Sequence, residues 1–236
     1  MVPAAPDTIH HAAHGSGHET RQVVLWRHGR TEWNNQKRFQ GHLDVPLDAV
    51  GHQQAVTAAR ALATLRPDRI VTSDLSRAAQ TAAALAAVTG VTVVEDAGLR
   101  EAHAGEWQGR THAEIRALDP QRLQEWRATV DVRPGGSGET RVEVGTRMAA
   151  TITANLDGLR PGQLAVFVTH GGSARAAVGS LLGLDPLHWH QLGIMRNCSW
   201  AVLEVDPLGS WHLDTYNMSA MPEADDPAAA VRDAIV

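Results

Sequence analysis

The sequence predicts an α/β fold, a three-layer α/β/α sandwich with a mostly parallel central sheet. Short apolar runs of strand type alternate with longer segments that repeat apolar residues at helical spacing. The run Leu164–Thr169 is apolar up to its last residue, which is typical of a strand covered by helices on both faces. Two runs end in histidine and glycine, at positions 28–29 and 170–171, and the chain then changes direction. In a parallel sheet such strand ends meet at one edge, where ligands bind.

Six runs are predicted as strands because they are short, largely apolar and bounded by turn residues. They cover residues 23–26, 69–73, 91–94, 164–169, 199–205 and 210–215. The last two flank the turn sequence Asp206-Pro207-Leu208-Gly209, which predicts an antiparallel pair. Helical segments separate the other strands, which we expect to be parallel.

Helices are predicted by apolar stripes at helical spacing and by capping signatures. They cover residues 51–65, 74–88, a segment that starts after Thr111, 143–156 and 173–182. Gly90 ends the second helix, and Ser73 or Asp74 is its expected N-cap. Thr111 and Glu114 have the spacing of a capping box, which marks the start of the third helix.

One domain is expected over residues 21–218, since a chain of 236 residues with 43% hydrophobic and 20% charged residues can bury a substantial core. Residues 1–20 lack apolar periodicity and are predicted to form a disordered, His-rich arm. The histidines there lack a carboxylate framework, which favours a solvated tail over a metal site. Residues 219–236 are expected to be a C-terminal tail. Within the domain, the Gly-rich segment 130–140 predicts a mobile loop over a site.

Charge and cysteine content exclude several classes of function. The net charge is −5 without a run of basic residues, which disfavours a nucleic-acid or anionic-membrane surface. Cys198 is the only cysteine, which excludes an intramolecular disulfide, argues against a cysteine-based zinc site and fits a reducing compartment. No apolar run is long enough to span a bilayer, and residues 1–20 lack a secretory-signal pattern. The sequence therefore predicts a soluble, cytoplasmic protein.

The Arg27-His28 pair at the end of the first strand is a candidate phosphate site. Arg27 offers a planar donor fork that suits phosphate, and His28 is a nitrogen nucleophile that is neutral near neutral pH. Arg77 follows the next predicted strand and lies at the same edge if the two strands are parallel. By itself, an Arg-His-Gly sequence is more often a strand-end turn with a surface arginine.

Four sequence blocks that occur in a fixed order are stronger evidence for a phosphate site than the Arg27-His28 dipeptide alone. They are Leu25-x-Arg27-His28-Gly29-x-Thr31-x-x-Asn34, Ser73-Asp74-Leu75-x-Arg77-Ala78, Leu99-Arg100-Glu101 with Gly105-x-Trp107-x-Gly109, and Thr169-His170-Gly171-Gly172. Together they resemble the histidine phosphatase superfamily, which includes the cofactor-dependent phosphoglycerate mutases, over about residues 21–217. The resemblance implies a phosphoglycerate mutase-like fold and a reaction on a small phosphate ester.

The resemblance also implies a role for each motif residue. His28 would attack phosphorus and become phosphohistidine, and Glu101 would act first as the acid and then as the base. Arg27, Arg77 and His170 would neutralise and hold the phosphate. The implied substrate-binding residues are Arg27, Asn34, Gln40, Gly41, Arg77, Glu101, His170, Gly171 and Leu213. The resemblance implies neither a metal nor a cofactor, because the arginines supply the positive charge.

Each of these assignments has a structural alternative. Arg77 could form a surface salt bridge, and His170 could only cap a helix. Glu106, close to Glu101 in sequence, could be the acid instead. The chain could also be a non-catalytic binding protein that keeps the pocket and regulates a partner. The complete set of catalytic-type residues argues against this last alternative.

The residues after Glu101 favour a hydrolase over a mutase. The family's mutases usually have a tyrosine where Ala104 stands, and they carry a longer insertion ahead of the second histidine. Both differences favour access of water, so the resemblance implies phosphomonoester hydrolysis. Cofactor-dependent phosphoglycerate mutase activity is the alternative.

Three further stretches are similar to the actinobacterial glucosyl-3-phosphoglycerate phosphatases within this superfamily. They are residues 100–109, 193–200 and 213–220. This resemblance implies a glucosylated phosphoglycerate as substrate and a homodimer. It also matches Leu213 to a substrate-pocket position, whereas the residues alone favour a packed strand leucine. Other sugar phosphates, phosphoglycerates and cobalamin-precursor phosphates stay open as substrates.

Overall fold

The computed structural model describes residues 20–220 of the chain. The predicted N-terminal arm (1–20) and C-terminal tail (219–236) lie almost entirely outside the described residues. Within residues 20–220, no helix is long and apolar enough to cross a membrane.

The strands of the described part are β1 (Arg21–Arg27), β2 (Arg69–Thr72), β3 (Val93–Glu95), β4 (Leu164–Thr169), β5 (Trp200–Val205) and β6 (Trp211–Met218). They form one sheet in the order β3-β2-β4-β1-β5-β6. The first four in this order are parallel, whereas β5 is antiparallel to β1 and β6 is antiparallel to β5. The predicted mostly parallel sheet and the antiparallel pair are therefore confirmed.

The helices are α1 (Glu32–Asn35), α2 (Ala49–Ala63), α3 (Ser76–Thr89), α4 (His112–Leu118), α5 (Pro120–Ala128), α6 (Arg141–Ala154) and α7 (Gly171–Leu181). Short 3-10 segments lie at Ala97–Leu99, Gly105–Trp107 and Pro186–Gln191. Helices α2 and α3 cover one face of the sheet, and α6 and α7 cover the other. The fold is thus the predicted three-layer sandwich.

Alternate side chains of the central strands enter the two cores. Val24 and Trp26 pack with α2 and α3, whereas Leu25 and Phe167 pack with α6 and α7, and all four are fully buried. Burying one such side chain stabilises the fold by about 1.5–3 kcal/mol. Because both faces are covered, the polar residues that follow β1 and β4 emerge only at the sheet's carboxyl edge.

The structure differs from the sequence prediction at one strand and two helices. The third strand is Val93–Glu95 instead of 91–94, because Val91 packs against the α2/α3 core and does not pair with β2. Helix α1 is a single turn that the sequence analysis does not predict, with Thr31 as its N-cap. Helix α5 begins at Pro120, which suits the first helical turn, and its weak apolar periodicity follows from burying only Leu123.

The loop 130–140 is packed instead of standing free over the site. Pro134 and Gly135 are buried, and the Glu106 nitrogen donates to the Gly135 carbonyl at 3.2 Å. A Cβ added to Gly135, at φ 57°, would lie 2.4 Å from the Glu106 nitrogen. Only glycine tolerates this backbone and this close approach. These contacts argue against the expected mobility of the loop.

The start of α3 is capped by a residue from another loop. The expectation of Ser73 or Asp74 as N-cap is wrong, because the N-cap residue is Leu75, which has no side-chain cap. Asp44 instead accepts hydrogen bonds from the Ser76 nitrogen at 2.8 Å and the Ser76 hydroxyl at 2.6 Å. Asp44 lies 32 residues earlier in the chain, so no local pattern could indicate it.

Candidate active site

The carboxyl ends of β1 and β4 bring His28 and His170 together. The strands pair with Arg27 opposite Thr169, so the next residue of each strand leaves the sheet at the same edge. The two imidazole rings have centroids 5.1 Å apart and an interplanar angle of 61°. His28 and His170 are only 2% and 0% exposed. The site is therefore built into the fold at the predicted edge.

His28 is held in one tautomer by its neighbour. Its Nδ1 lies 2.6 Å from the Gly29 carbonyl oxygen, and because a carbonyl only accepts, Nδ1 carries the hydrogen. This leaves the lone pair on Nε2. Burial, and then the charges of Arg77 and Arg27, hold the pKa of His28 well below its usual value. At neutral pH the ring is a neutral nitrogen nucleophile.

His170 has the opposite tautomer. Arg77 donates from Nε to His170 Nδ1 at 3.1 Å, so the hydrogen of the neutral ring is on Nε2, which donates to the Ser73 hydroxyl at 3.0 Å. Burial, followed by the charge of Arg77, keeps the pKa of His170 well below its usual value. His170 does occupy the N-cap position of α7, but its side chain makes no capping hydrogen bond. The capping alternative therefore does not account for the ring.

Arg77 is a fully buried cation at the centre of the site, not a surface ion-pair residue. Besides its bond to His170, it donates to the carbonyl oxygens of Leu43 at 2.9 Å and Gly41 at 2.7 Å. Gly41 has φ 53°, and a Cβ there would lie 2.1 Å from the Gln108 side-chain oxygen, so this turn requires glycine. Burial lowers the pKa of Arg77 to about 10, which leaves it charged at neutral pH.

Arg27 is the last residue of β1 and directly precedes His28. Its Nη1 donates to the Met195 carbonyl, which fixes the guanidinium beside the first turn of α7. A Cβ added to Gly171 would lie 3.1 Å from Arg27 Nε and 3.0 Å from the Ile194 side chain. Gly171 therefore leaves space for Arg27, which is a steric reason for glycine after His170.

Glu101 lies at the amino terminus of α7, next to His170. Its carboxylate accepts hydrogen bonds from the Gly172 nitrogen at 3.1 Å and from the Ser173 nitrogen and hydroxyl, each at 2.9 Å. The Ala102 nitrogen donates to the same carboxylate at 2.9 Å. These donors fix its orientation. Glu106, by contrast, is exposed beside Asp119, Arg122 and Gly135–Ser137.

Two of the remaining predicted binding residues, Asn34 and Gln40, are connected to the site. Asn34 is tied to the site because its Oδ1 accepts from Asn197 Nδ2 at 3.2 Å, and the same Nδ2 donates to the His28 carbonyl at 3.1 Å. Gln40 precedes Gly41, is 8% exposed, and its side-chain oxygen has no hydrogen-bond partner within the described chain. Both side chains can supply amide groups to a ligand.

Leu213 is not brought to this edge of the sheet. It pairs with Leu203 in the middle of β5, and Leu203 in turn pairs with Val23. Val23 lies four residues before Arg27, or about 13 Å along a strand. Leu213 is half-buried and packs against the α6/α7 core, as a strand leucine does.

A model of the histidine phosphatase superfamily (branch 1) matches residues 23–219. The chain belongs to this superfamily. It is 41% identical over 221 residues to glucosyl-3-phosphoglycerate phosphatase from Mycolicibacterium vanbaalenii, which covers 87% of this chain and 98% of the relative. It is 38% identical over 181 residues to a probable phosphoglycerate mutase from Yersinia enterocolitica, which covers 75% of this chain and 82% of the relative.

A solved member of the superfamily has the same fold. The structure of mycobacterial glucosyl-3-phosphoglycerate phosphatase with VO3 matches this chain with a TM-score of 0.77 at 40% identity. The match covers 84% of this chain and all of that chain.

Sequence reasoning missed several polar residues that support the site of this histidine phosphatase. Ser73 holds His170, Asn197 holds the backbone of His28, and His42 donates from Nε2 to the Glu101 carbonyl at 2.7 Å. Ser73 and Asn197 belong to the sequence blocks that carry the family resemblance, but their roles depend on contacts 97 and 169 residues away in sequence. His42 carried no signal at all.

The low pKa values of the paired histidines predict a loss of stability in acid. In the unfolded chain His28 and His170 bind a proton near pH 6.5, whereas in the fold they bind one only well below that value. The unfolded state therefore takes up more protons as the pH falls below 6.5. For each pH unit that the pH falls below 6.5, we expect each histidine to lower the free energy of unfolding by up to about 1.4 kcal/mol.

Urea unfolding of the wild type and His170→Gln between about pH 7 and pH 5 measures this effect. The variant should show a shallower dependence of stability on pH, by about 1.4 kcal/mol per unit. His212→Gln, at an exposed position on β6, is the matched control and should keep the wild-type slope. Equal slopes for the wild type and His170→Gln would contradict the prediction.

Proposed function

We propose that this protein hydrolyses a phosphomonoester through a phosphohistidine formed on His28, within a catalytic domain of residues 21–218. The observation that carries this proposal is the state of His28: its Nδ1 is bound by the Gly29 carbonyl, its ring is neutral, and Nε2 keeps its lone pair. Arg27 and Arg77 lie close enough to lower its pKa. The same charges would neutralise a phosphate group in front of the ring.

In the first half-reaction, Nε2 of His28 forms a bond to phosphorus while the bond from phosphorus to the ester oxygen breaks. Protonated Glu101 donates its proton to that oxygen, and the alcohol leaves. Arg77 and Arg27 hold the remaining oxygens of the phosphoryl group. His170 contributes its Nε2 hydrogen when a phosphate oxygen replaces the Ser73 hydroxyl as its acceptor.

In the second half-reaction, ionised Glu101 accepts a proton from a water molecule whose oxygen attacks the phosphorus. The bond from phosphorus to Nε2 of His28 breaks, the electron pair returns to the ring, and inorganic phosphate leaves. Glu101 is then protonated again, so one carboxyl group serves both steps.

We expect Glu101→Gln to lower kcat by about 10²–10⁴-fold and Glu106→Gln to keep it within about twofold of the wild type. Glu101 is fixed beside His170, whereas the side chain of Glu106 is exposed. The assay is phosphate release from an alkyl ester such as 3-phosphoglycerate, because a poor leaving group requires an acid. The opposite ranking of the two variants would show that Glu106 is the acid.

For the substrate, we propose glucosyl-3-phosphoglycerate, which the relatives at about 40% identity carry in their names. Homodimer formation and a cytoplasmic location are part of the same proposal, on the resemblance to this subfamily and on the single cysteine, Cys198. Phosphoglycerate mutase activity is the second candidate, since a probable mutase is 38% identical. Ala104, where the mutases usually have tyrosine, favours the phosphatase.

The test is phosphate release in the presence of EDTA from glucosyl-3-phosphoglycerate, 3-phosphoglycerate and several sugar phosphates. Fastest release from glucosyl-3-phosphoglycerate would support the proposed substrate. Interconversion of 2- and 3-phosphoglycerate without phosphate release would establish the mutase. If every ester binds and none reacts, the protein is a binding protein. Sedimentation of the purified chain tests the homodimer.

A further inference from the structure

The hydroxyl of Ser173, in the first turn of α7, lies between two acceptors beside the active site. Its Oγ is 2.9 Å from Oε1 of Glu101 and 2.9 Å from the carbonyl oxygen of Arg100. Ser173 is fully buried, so bulk water does not compete with these two oxygens. A hydroxyl group carries one hydrogen, so Ser173 donates to only one of them at a time. The stronger acceptor receives the hydrogen, and which one is stronger depends on the charge of Glu101.

The two oxygens of the Glu101 carboxyl group have different donors. Oε1 accepts from the nitrogens of Ala102 and Ser173, each at 2.9 Å, in addition to the Ser173 hydroxyl. Oε2 accepts from the Gly172 nitrogen at 3.1 Å. The two N–H donors occupy the two lone pairs of Oε1. A proton that binds to this carboxylate is therefore carried by Oε2.

Either orientation of the hydroxyl leaves its other acceptor with a hydrogen bond. The Arg100 carbonyl oxygen also accepts from Nη1 of Arg147 at 3.1 Å, so it keeps a donor when Ser173 turns to Glu101. Oε1 of Glu101 keeps its two N–H donors when Ser173 turns to Arg100. A buried acceptor left unpaired would make such a change costly. Because neither orientation leaves one, the hydroxyl is free to reorient.

The groups around the hydroxyl are held in place while its hydrogen turns. Arg147 donates to the Gly98 carbonyl oxygen at 2.8 Å as well as to that of Arg100. On the other side, His42 donates to the Glu101 carbonyl oxygen at 2.7 Å. The backbone that carries the carboxyl group is thus fixed, and rotation of the O–H bond is the smallest response to a change in its charge.

We propose that Ser173 is a positioning residue for Glu101, and that its hydroxyl changes acceptor with the protonation state of that carboxyl group. The inference rests on the proposed function, in which Glu101 gives up a proton in the first half-reaction and regains it in the second. When Glu101 is ionised, the Ser173 hydroxyl donates to Oε1. When Glu101 carries its proton on Oε2, the hydroxyl donates to the Arg100 carbonyl oxygen. Ser173 keeps its own proton in both states and favours the ionised form by one hydrogen bond.

Charged and titratable side chains face the carboxyl group of Glu101 or lie one contact away from it. They are His42, Arg77, Arg100, Glu139, His170 and Arg175. Arg77 and Arg175 attract the carboxylate. Burial lowers the pKa of His42 and His170, so both rings are neutral at neutral pH and above. All of these groups are also present in a variant that lacks only the hydroxyl, so a difference between the two pH profiles reports the hydroxyl.

The test is the pH dependence of kcat/KM in the wild type and in Ser173→Ala, for phosphate release from the fastest of the alkyl esters named above. In the wild type, kcat/KM should decline at alkaline pH as Glu101 loses the proton that the leaving oxygen needs. In Ser173→Ala the carboxylate has one donor fewer, so Glu101 keeps its proton to higher pH. We expect the alkaline decline to move up by about one pH unit.

Two further variants separate the hydroxyl from the fold. Ser173→Thr keeps a hydroxyl and should keep the wild-type profile. Ser180→Ala removes a hydroxyl from the last turn of the same helix and should also keep that profile. Ser173→Ala itself should fold, because both acceptors of the lost hydroxyl retain other donors. If the extra methyl group of Ser173→Thr is not accommodated, the wild type and Ser173→Ala decide the inference by themselves.

Two results would overturn the role of Ser173. They are an unmoved decline in Ser173→Ala, which means that the hydroxyl donates to Arg100 in both states, and an equal loss of kcat/KM at every pH, which indicates a structural role. Glu101→Gln should remove the wild-type decline. If it does and Ser173→Ala leaves the decline unmoved, the inference alone fails. A decline that persists in Glu101→Gln, or a wild type that hydrolyses no ester, refutes the proposed function and the inference together.

Discussion

The His28→Ala variant is expected to lose phosphate release by about four orders of magnitude or more in kcat. No other side chain can replace the nucleophile, because the neighbouring ring of His170 has Nδ1 bound to Arg77 and Nε2 bound to Ser73. The variant keeps the charged pocket, so its affinity for phosphate esters should fall much less than its turnover. Phosphate release with EDTA present measures the effect.

Trapping of the intermediate separates this role from a structural one. Brief incubation of the wild type with a phosphate ester should leave acid-labile phosphate on the protein, and His28→Ala should leave none. His52→Ala, at an exposed position on α2, is the control and should behave as the wild type. Covalent phosphate on the His28→Ala protein, or turnover close to the wild type, would rule out His28 as the nucleophile.

The Arg77→Met variant should lose about 10³-fold or more in kcat/KM and also become less stable. The guanidinium is the fully buried charge of the site, and its loss leaves the Gly41 and Leu43 carbonyl oxygens without their donor. Each buried, unsatisfied group costs about 1–3 kcal/mol. We therefore expect a free energy of unfolding lower by about 2 kcal/mol or more.

Steady-state kinetics and urea unfolding check both parts of this prediction. Arg77→Lys keeps the charge but has a single nitrogen in place of the three that bond to Gly41, Leu43 and His170. It should recover less than about a tenth of the lost kcat/KM. A folded Arg77→Met protein with nearly full kcat/KM would exclude Arg77 from phosphate binding.

Local patterns were sufficient to predict the framework of the fold. Strand-forming runs, helical stripes and the break after each His-Gly pair act over a few residues, so they are readable in the sequence. The parallel packing of β1 and β4 then places His28 and His170 together. The strand predicted at 91–94 lies at Val93–Glu95 in the structure. The bounds of an edge strand depend on its pairing with the neighbouring strand more than on its own residues.

Contacts between distant segments decided the rest. Asp44 caps α3, Ser73 fixes the tautomer of His170, and the Gly41 and Leu43 carbonyls hold Arg77, and none of these pairings follows a local rule. The position of Leu213 within β6 also could not be predicted from local sequence, because it depends on strand register.

The sequence by itself determined the layers of the sandwich, the edge that carries the site and the residue types at that edge. It could do so because hydrophobic periodicity and turn chemistry are short-range properties. Only the tertiary structure decided which ring nitrogen of His28 keeps its lone pair and which donors bind Glu101. Hydrogen bonding and desolvation depend on what surrounds each group, and the surroundings exist only once the chain has folded.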